Sequence, residues 1–311
     1  MNRNHIINWS SLVSMDHFTL VANMEKEEFR ILNAIEIGMR KFKTVPFTNI
    51  AFYARYDPEE VQHWLDKVHK RDIIIRESGK RQRYVLNSKG YDLLALRALA
   101  ERDVVASIGN MMGVGKESDV YQALATNEAR LALKFHRIGR TSFRAIKQKR
   151  DYARGKHHVS WLYMCRLSAT REAENLATLN DIGAPVPVLV DQNRHVVVME
   201  LFQGQELHDF TRVDDPADIF DKIVAAVSLA FRKAGLIHCD LCEFNIVLTV
   251  DGDVLIIDWP QAVSIDHPNA HGFLQRDLEN VCVYFEKKHG LVRDPAELMQ
   301  EILPRESTTT D

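Results

Sequence analysis

The segment Leu236–Gln261, LIHCDLCEFNIVLTVDGDVLIIDWPQ, decides how this chain is read. Two β-rich runs flank Asp251-Gly252, and an Asp-Gly pair in that setting predicts a two-residue hairpin turn. With that pair at the turn centre, Val250 faces Asp253 and, counting outward, Asn245 faces Asp258, with Cβ atoms about 4.5–5.5 Å apart. An amide oxygen beside a carboxylate at one end of an apolar hairpin is a hard-oxygen pair of the kind that holds Mg²⁺ through substrate phosphates. The ion keeps waters and takes its remaining ligands from the phosphates. Asp240 stands on the loop entering the hairpin, where an aspartate can orient an attacking hydroxyl or water and take its proton. Each residue alone also reads as a turn cap, an irregular strand start or a strand terminator, but the joint spacing favours chemistry. Cys239 and Cys242 form a Cys-x-x-Cys; with no second pair and with Cys165 and Cys282 isolated, zinc or redox chemistry is set aside.

Upstream lies GVGKESDV, residues 113–120, comprising Gly113, Val114, Gly115, Lys116, Glu117, Ser118, Asp119 and Val120. Gly113 and Gly115 allow backbone N–H groups to approach phosphate oxygens. A Walker A loop is excluded, because Glu117 follows Lys116 where Ser or Thr is needed and Asn110 stands where the first glycine belongs. Lys134, in the middle of the apolar strand LALKFH, needs an anionic partner if it is not to snorkel from a strand edge.

At 311 residues with 46% hydrophobic content the chain is globular, with room for one large domain or two ordinary ones. A net charge of -3 excludes a global field drawing it to nucleic acid or membrane, so local patches decide. The start MNRNHIINWSSLVSM lacks the apolar core of a signal peptide, and no apolar run approaches about 18 residues. Both point to a soluble, cytoplasmic, reduced protein.

Phe29, Leu32, Ile35 and Met39 recur at helical spacing over 26–40, and a second short helix covers 47–54. Asp57 caps a third, with Pro58 at its first position and Val61, Trp64, Leu65 and Val68 on one face. DIIIRES and RQRYVLN then make a two-stranded ribbon, and a helix spans about 89–101. Three helices and a ribbon form a winged helix-turn-helix. Its presumed recognition helix begins DPEE, and acid there argues against sequence-specific DNA reading. Past residue 103, strands near 104–110, 119–125, 131–136 and 195–202 precede most of the helices, which fall in 159–180, 216–235, 270–288 and 294–303. This is an α+β order in two lobes. The run 137–156 holds eight Lys/Arg against one acid and suits phosphate or a protein partner as well as solvent.

His238, Asp240 and Asn245 match the H-x-D-x-x-x-x-N loop of protein-kinase-like enzymes, and Asp258-Trp259-Pro260 stands where those carry Asp-Phe-Gly. GVGKESDV resembles their glycine-rich loop, with Ser118 for the third glycine. IIDWPQAVS, RTSFR, KRDYARGK and SWLYMCRLSA resemble the RIO family of atypical protein kinases, in the branch with an N-terminal winged helix commonly called Rio two. The resemblance covers nearly the whole chain. It implies a winged helix over 1–90, a linker helix over 91–103 and a RIO kinase domain over 104–311. Within that domain the N-lobe is 104–199, the hinge 200–203 and the C-lobe 204–311, shortened because only 53 residues follow Asp258.

The resemblance also implies that Glu172 pairs with Lys134, that the Glu200 carbonyl and Phe202 amide bind adenine, and that Met199 forms its back wall. ATP with Mg²⁺ or Mn²⁺ is the expected cofactor set. Expected activities are serine/threonine kinase and ATPase, autophosphorylation, and an aspartyl phosphate on Asp258. The expected partner is a small ribosomal subunit precursor, its structured RNA and proteins, with no membrane. The alternatives are a small-molecule phosphotransferase of the aminoglycoside or choline type, which shares Ile-Asp-Trp but lacks a winged helix, and a non-catalytic ATP-sensing nucleic-acid-binding regulator. Where the branch usually has His-Gly-Asp, this chain has Cys239, a residue that lacks glycine's backbone freedom.

Overall fold

A computed structural model of the chain describes residues 20–77, 79, 82–138 and 161–303. The first fifteen residues, part of the wing, positions 139–156 of the basic run and the tail ESTTTD lie outside the described residues. The chain divides into two compact units, Met1–Ala169 with Asp191–Val198, and Thr170–Val190 with Met199–Asp311.

The first unit opens with α1 (Lys26–Met39), β1 (Val45–Pro46), α2 (Phe47–Ala54) and α3 (Pro58–Lys70). The expected cap is present: Asp57 Oδ1 accepts from the Glu60 amide at 2.9 Å, with Pro58 at the first helical position. The wing strands β2 (Ile74–Glu77) and β3 (Arg83–Leu86) pair antiparallel, and β1 adds to the outer edge of β3. Helix α4 (Ser88–Glu101) follows, its N-terminus capped by the Asn87 side chain on the Gly90 amide. A Cβ at Gly90 would lie 2.2 Å from the Ile73 carbonyl oxygen, so only glycine allows the wing and α4 to come this close.

Strands β4 (Ser107–Val114), β5 (Ser118–Leu124) and β6 (Arg130–His136) form an antiparallel meander. After α5 (Trp161–Asp181), the hairpin β7 (Leu189–Asn193) and β8 (Val196–Glu200) completes a five-stranded sheet in the order β4-β5-β6-β8-β7. One contiguous core runs from Leu32, Ile35 and Leu65 through Leu93 and Leu96 to Leu133, Phe135, Val196 and Val198. The winged helix and this sheet therefore share a single interior across residue 104.

Four ionisable side chains cross that interior. The Arg137 guanidinium donates to both oxygens of Asp92 on α4, at 2.6 and 2.8 Å, and through Nε to Asp119 on β5 at 2.9 Å. His195, in the β7–β8 turn, meets Asp92 at 2.7 Å and stacks on Tyr91 with ring centroids 4.7 Å apart. Burial alone would raise the Asp92 carboxyl, but hydrogen bonds from His195 and Arg137 win and hold it down at about 2. Burial pushes the His195 imidazole below its usual range, against the pull of Asp92. Arg194, beside it, ties Glu36 of α1 and the Leu94 carbonyl of α4 to the same turn.

In the second unit β9 (Gly204–Glu206) leads through a 3-10 turn to α6 (Pro216–Leu229), whose cap Asp215 accepts from the Ala217 and Asp218 amides. The helix widens into a π turn over Ala230–Ala234 and stops at Gly235, φ 65°. Strand β10 (Leu236–Ile237), the hairpin β11 (Ile246–Thr249) and β12 (Val254–Ile256), and β13 (Val263–Ser264) follow, then α7 (Ala270–His289) and α8 (Pro295–Ile302). β11 is central in a sheet ordered β12-β11-β9, and β10 pairs with β13. No helix among the described residues is long and apolar enough to cross a membrane.

Arg137→Ala leaves two buried carboxylates without their cation, and a loss of about 3–5 kcal/mol is expected in urea unfolding at neutral pH. Because the folded pKa of Asp92 is depressed, its contribution is full above its unfolded value of about 3.9 and is lost as pH falls through 2. Wild type should therefore lose midpoint between about pH 4 and 2 more steeply than Asp92→Asn.

Candidate active site

The hairpin forms, but with one more residue in its loop than the Asp-Gly pair predicts. Thr249 faces Asp253: the Thr249 amide donates to the Asp253 carbonyl at 2.9 Å, and Thr249 Oγ1 accepts from the Asp253 amide at 3.0 Å. The loop is Val250-Asp251-Gly252, with Gly252 left-handed at φ 83°, the three-residue form in which glycine takes the last position. The threonine side chain, placed to catch the returning amide, selects this form over the two-residue turn.

The register moves accordingly. Ile246 pairs with Ile256, and the Ile257 amide donates to the Asn245 carbonyl at 2.9 Å. Asn245 thus faces Ile257, and Asp258 lies one residue past the expected partner position. In a regular strand that slip would turn the side chain to the other face. Here the strand has ended, and Asp258 adopts a left-handed φ of 68° that redirects the chain.

His238 joins the two halves of the site. Its Nε2 donates to the Ile257 carbonyl at 2.9 Å, its Nδ1 accepts from the Asp240 amide at 3.2 Å, and its ring meets Trp259 edge-on at 4.6 Å. The Asn245 side-chain amide donates to the Asp240 carbonyl at 2.8 Å. That bond occupies Nδ2 and orients the side chain, so that Oδ1 is the atom offered to a cation. Asp240 itself is exposed, Asn245 is buried and Asp258 is half-buried. Trp259 is buried, donates to the Ile256 carbonyl at 2.8 Å, and accepts at its own carbonyl from Asn175 of α5 at 2.9 Å.

The support from α7 was not foreseen from the sequence. Asp277, 1% exposed, accepts from the Cys239 amide at 2.7 Å and the Leu241 amide at 3.2 Å. Arg276 donates to the Cys239 carbonyl, and Asn280 to the Leu241 carbonyl at 3.0 Å. The available signal was a carboxylate at helical spacing between Leu274, Leu278 and Val281, on the face that is otherwise apolar. Burial pushes the Asp277 carboxyl up to about 6, although both amides and Arg276 favour its charge. Cys239 sits at φ 68°, in the left-handed region where the absent glycine would be at ease. Burial and the Asp277 charge drive its thiol up to about 12, which keeps it protonated at neutral pH.

The phosphate-loop candidates lie in the first unit. Gly113 faces Val120 across β4 and β5, and Val120 faces Lys134 across β5 and β6. Loop glycine, valine and lysine therefore form one lateral row, with Val120 and Lys134 on the same sheet face. Gly115 donates to the Ser118 carbonyl at 2.7 Å, closing the tip around exposed Lys116 and half-buried Glu117. Val114 is exposed, and Lys134 is buried in its apolar strand. Glu172 is also buried and belongs to the second unit. At the end of β8, Met199 is buried, Glu200 is exposed with its amide on the Val188 carbonyl at 2.9 Å, and Phe202 is half-buried.

Asn245 and Asp258 suit Mg²⁺, since an oriented amide oxygen and a carboxylate are hard donors and the ion keeps several other ligands from water and phosphate. Among the described residues no group of three or more His, Cys, Asp or Glu side chains could hold a metal by itself.

Residues 119–298 match the RIO domain family, and residues 21–102 match the family described as Rio2, N-terminal. The chain is 41% identical over 254 residues to the RIO-type serine/threonine-protein kinase Rio2 of Methanocaldococcus jannaschii, covering 80% of this chain and 92% of that one. It is 42% identical over 271 residues to the serine/threonine-protein kinase RIO2 of Caenorhabditis elegans, covering 87% of this chain but 51% of the relative, so it spans about half of that protein's length. Among solved structures, a Rio2 kinase in an ADP/Mg²⁺-phosphoaspartate complex from Chaetomium thermophilum superposes with a TM-score of 0.78 at 33% identity, covering 91% of this chain and 88% of that one.

Replacing Cys239 by glycine should relieve a left-handed side chain, a gain of about 1 kcal/mol. In a chain of this size a thermal-shift measurement should register it as a melting temperature about 1.5 °C higher.

Proposed function

The chain belongs to the RIO family, with the N-terminal domain of its Rio2 branch, and we propose that it is an ATP- and Mg²⁺-dependent serine/threonine kinase and ATPase acting in maturation of the small ribosomal subunit. The observation that carries this reading is the linked pair Asp240 and Asn245, joined by hydrogen bond and followed across one hairpin by Asp258 in its left-handed turn. Asp240 is the base that orients and deprotonates an attacking hydroxyl. Asn245 and Asp258 hold Mg²⁺, and Gly113, Val114, Gly115, Lys116, Glu117, Ser118 and Val120 cover the phosphates. Lys134 pairs with phosphate oxygens, with Glu172 as its carboxylate by the family pattern. Met199, Glu200 and Phe202 receive adenine.

Bound ATP·Mg²⁺ supplies the transferable phosphoryl group. A phosphoaspartate occurs in the Chaetomium thermophilum Rio2 complex. This supports Asp258 as an acceptor in a cycle where nucleotide state controls binding to and release from the pre-ribosomal particle. The protein then works as a switch as much as a transferase. Autophosphorylation on Ser or Thr is the second activity. In location the protein is cytoplasmic.

ATP turnover, measured with and without purified small-subunit precursor, should rise with the precursor in wild type. It should fall at least about a hundredfold in Asp258→Ala and in Lys134→Ala. After a pulse with labelled ATP, wild type should carry a hydroxylamine-labile phosphate that Asp258→Ala lacks. Undiminished turnover in both variants would remove the proposed site.

A further inference from the structure

The exposed stripe of α1 reads Lys26, Arg30, Asn33, Ile37, spaced at helical intervals on the face turned away from the core. Together with Tyr53 of α2 and Arg97 of α4 it lines a recess of about 260 Å³. Two guanidinium groups there lie over aromatic rings: Arg30 over Tyr56 at 4.4 Å and Arg97 over Phe29 at 5.3 Å. Phe52, 75% exposed, stands edge-on to Tyr53 with centroids 5.5 Å apart. Lys26, Arg30 and Arg97 stand there with two acids, Glu101, which pairs with Arg97 at 2.6 Å, and Glu27, 3.8 Å from the Lys26 ammonium, which leaves an excess of one cation centred on Arg30.

From this we infer that the α1–α2–α4 face of the winged helix binds single-stranded RNA, with one base entering the recess and Lys26 and Arg30 on the flanking phosphates. Exposed aromatic and guanidinium surfaces are what unpaired bases stack on, and the excess cation at Arg30 favours the phosphates that flank such a base. The volume lies below the range for drug-sized ligands and suits one base rather than a larger molecule. A duplex keeps its bases stacked and has no group to place there. The edge by which such domains commonly enter a groove is here unfavourable to phosphate, since α3 begins Asp57-Pro58-Glu59-Glu60 with most of these side chains exposed. The polyanion face is therefore on the other helices. This inference does not depend on the nucleotide chemistry proposed above.

The test is fluorescence anisotropy of the full chain with a labelled, mixed-sequence RNA strand of about 16 nucleotides, repeated with the same DNA sequence as single strand and as duplex. The Lys26→Glu/Arg30→Glu variant should bind RNA at least about tenfold more weakly and show a shallower salt dependence. Phe52→Ala should bind about fivefold more weakly or worse. Lys70→Glu, a charge reversal at the end of α3, should bind as wild type does. All should keep wild-type melting temperature and basal ATP turnover. Unchanged binding in the first two variants overturns the inference, as does an equal loss in Lys70→Glu. Tighter binding of either DNA form also overturns it. Competition by polyglutamate with no effect of Phe52→Ala would assign the face to an acidic protein instead.

Discussion

One buried carboxylate holds the catalytic loop in shape. Asp277 reaches from α7 to two backbone amides that bracket Asp240, and Arg276 and Asn280 take the carbonyls at the same two positions. Cys239, the first of these two positions, is left-handed, so the loop rests in a conformation its own sequence disfavours. The anchor is itself costly. An acid whose folded pKa is raised contributes most below its unfolded value, and that contribution declines as pH rises through about 6. At neutral pH the protein keeps a buried anion at the expense of stability, and what it obtains is the position of Asp240.

Much of this was legible in the sequence, for identifiable reasons. Helix α3 follows from a cap, a proline and an apolar stripe, all local features, and the two helices for which the 53 residues after Asp258 leave room, 270–288 and 294–303, lie within a residue of α7 and α8. The nucleotide half is legible as residues, from the loop motif and a lysine in an apolar strand, but not as a row: Gly113 comes opposite Val120 only because the β4–β5 register shifts between Ile108 and Gly113. The hairpin was found but misregistered by one residue, since Asp-Gly fits both loop lengths and the choice was made by the Thr249 side chain, which no turn signature includes. Asp277 is not legible in the sequence, because its role depends on which loop it meets, and that is a matter of tertiary structure. β9 and β10 escaped because strands of two or three residues carry no periodic pattern.

The Asp92, Asp119, Arg137 and His195 cluster has another character. It lies in the interior where the winged helix gives way to the five-stranded sheet, and it joins α4, β5, the end of β6 and the β7–β8 turn. Apolar residues could fill that space, often at no loss of stability. What charge adds is direction: a bidentate guanidinium on one carboxylate and a third bond to another admit few relative placements of the elements that carry them.

The shared interior on both sides of residue 104 sets how this part of the chain can be divided. A polypeptide severed there would leave Val105, Leu133 and Val196 without Leu93, Leu96 and Leu99 to cover them, and a detached winged helix would carry the matching bare surface. Neither fragment would be a self-sufficient building block. In exchanges between relatives, the adaptor and the strands behind it would have to travel as a single inherited piece.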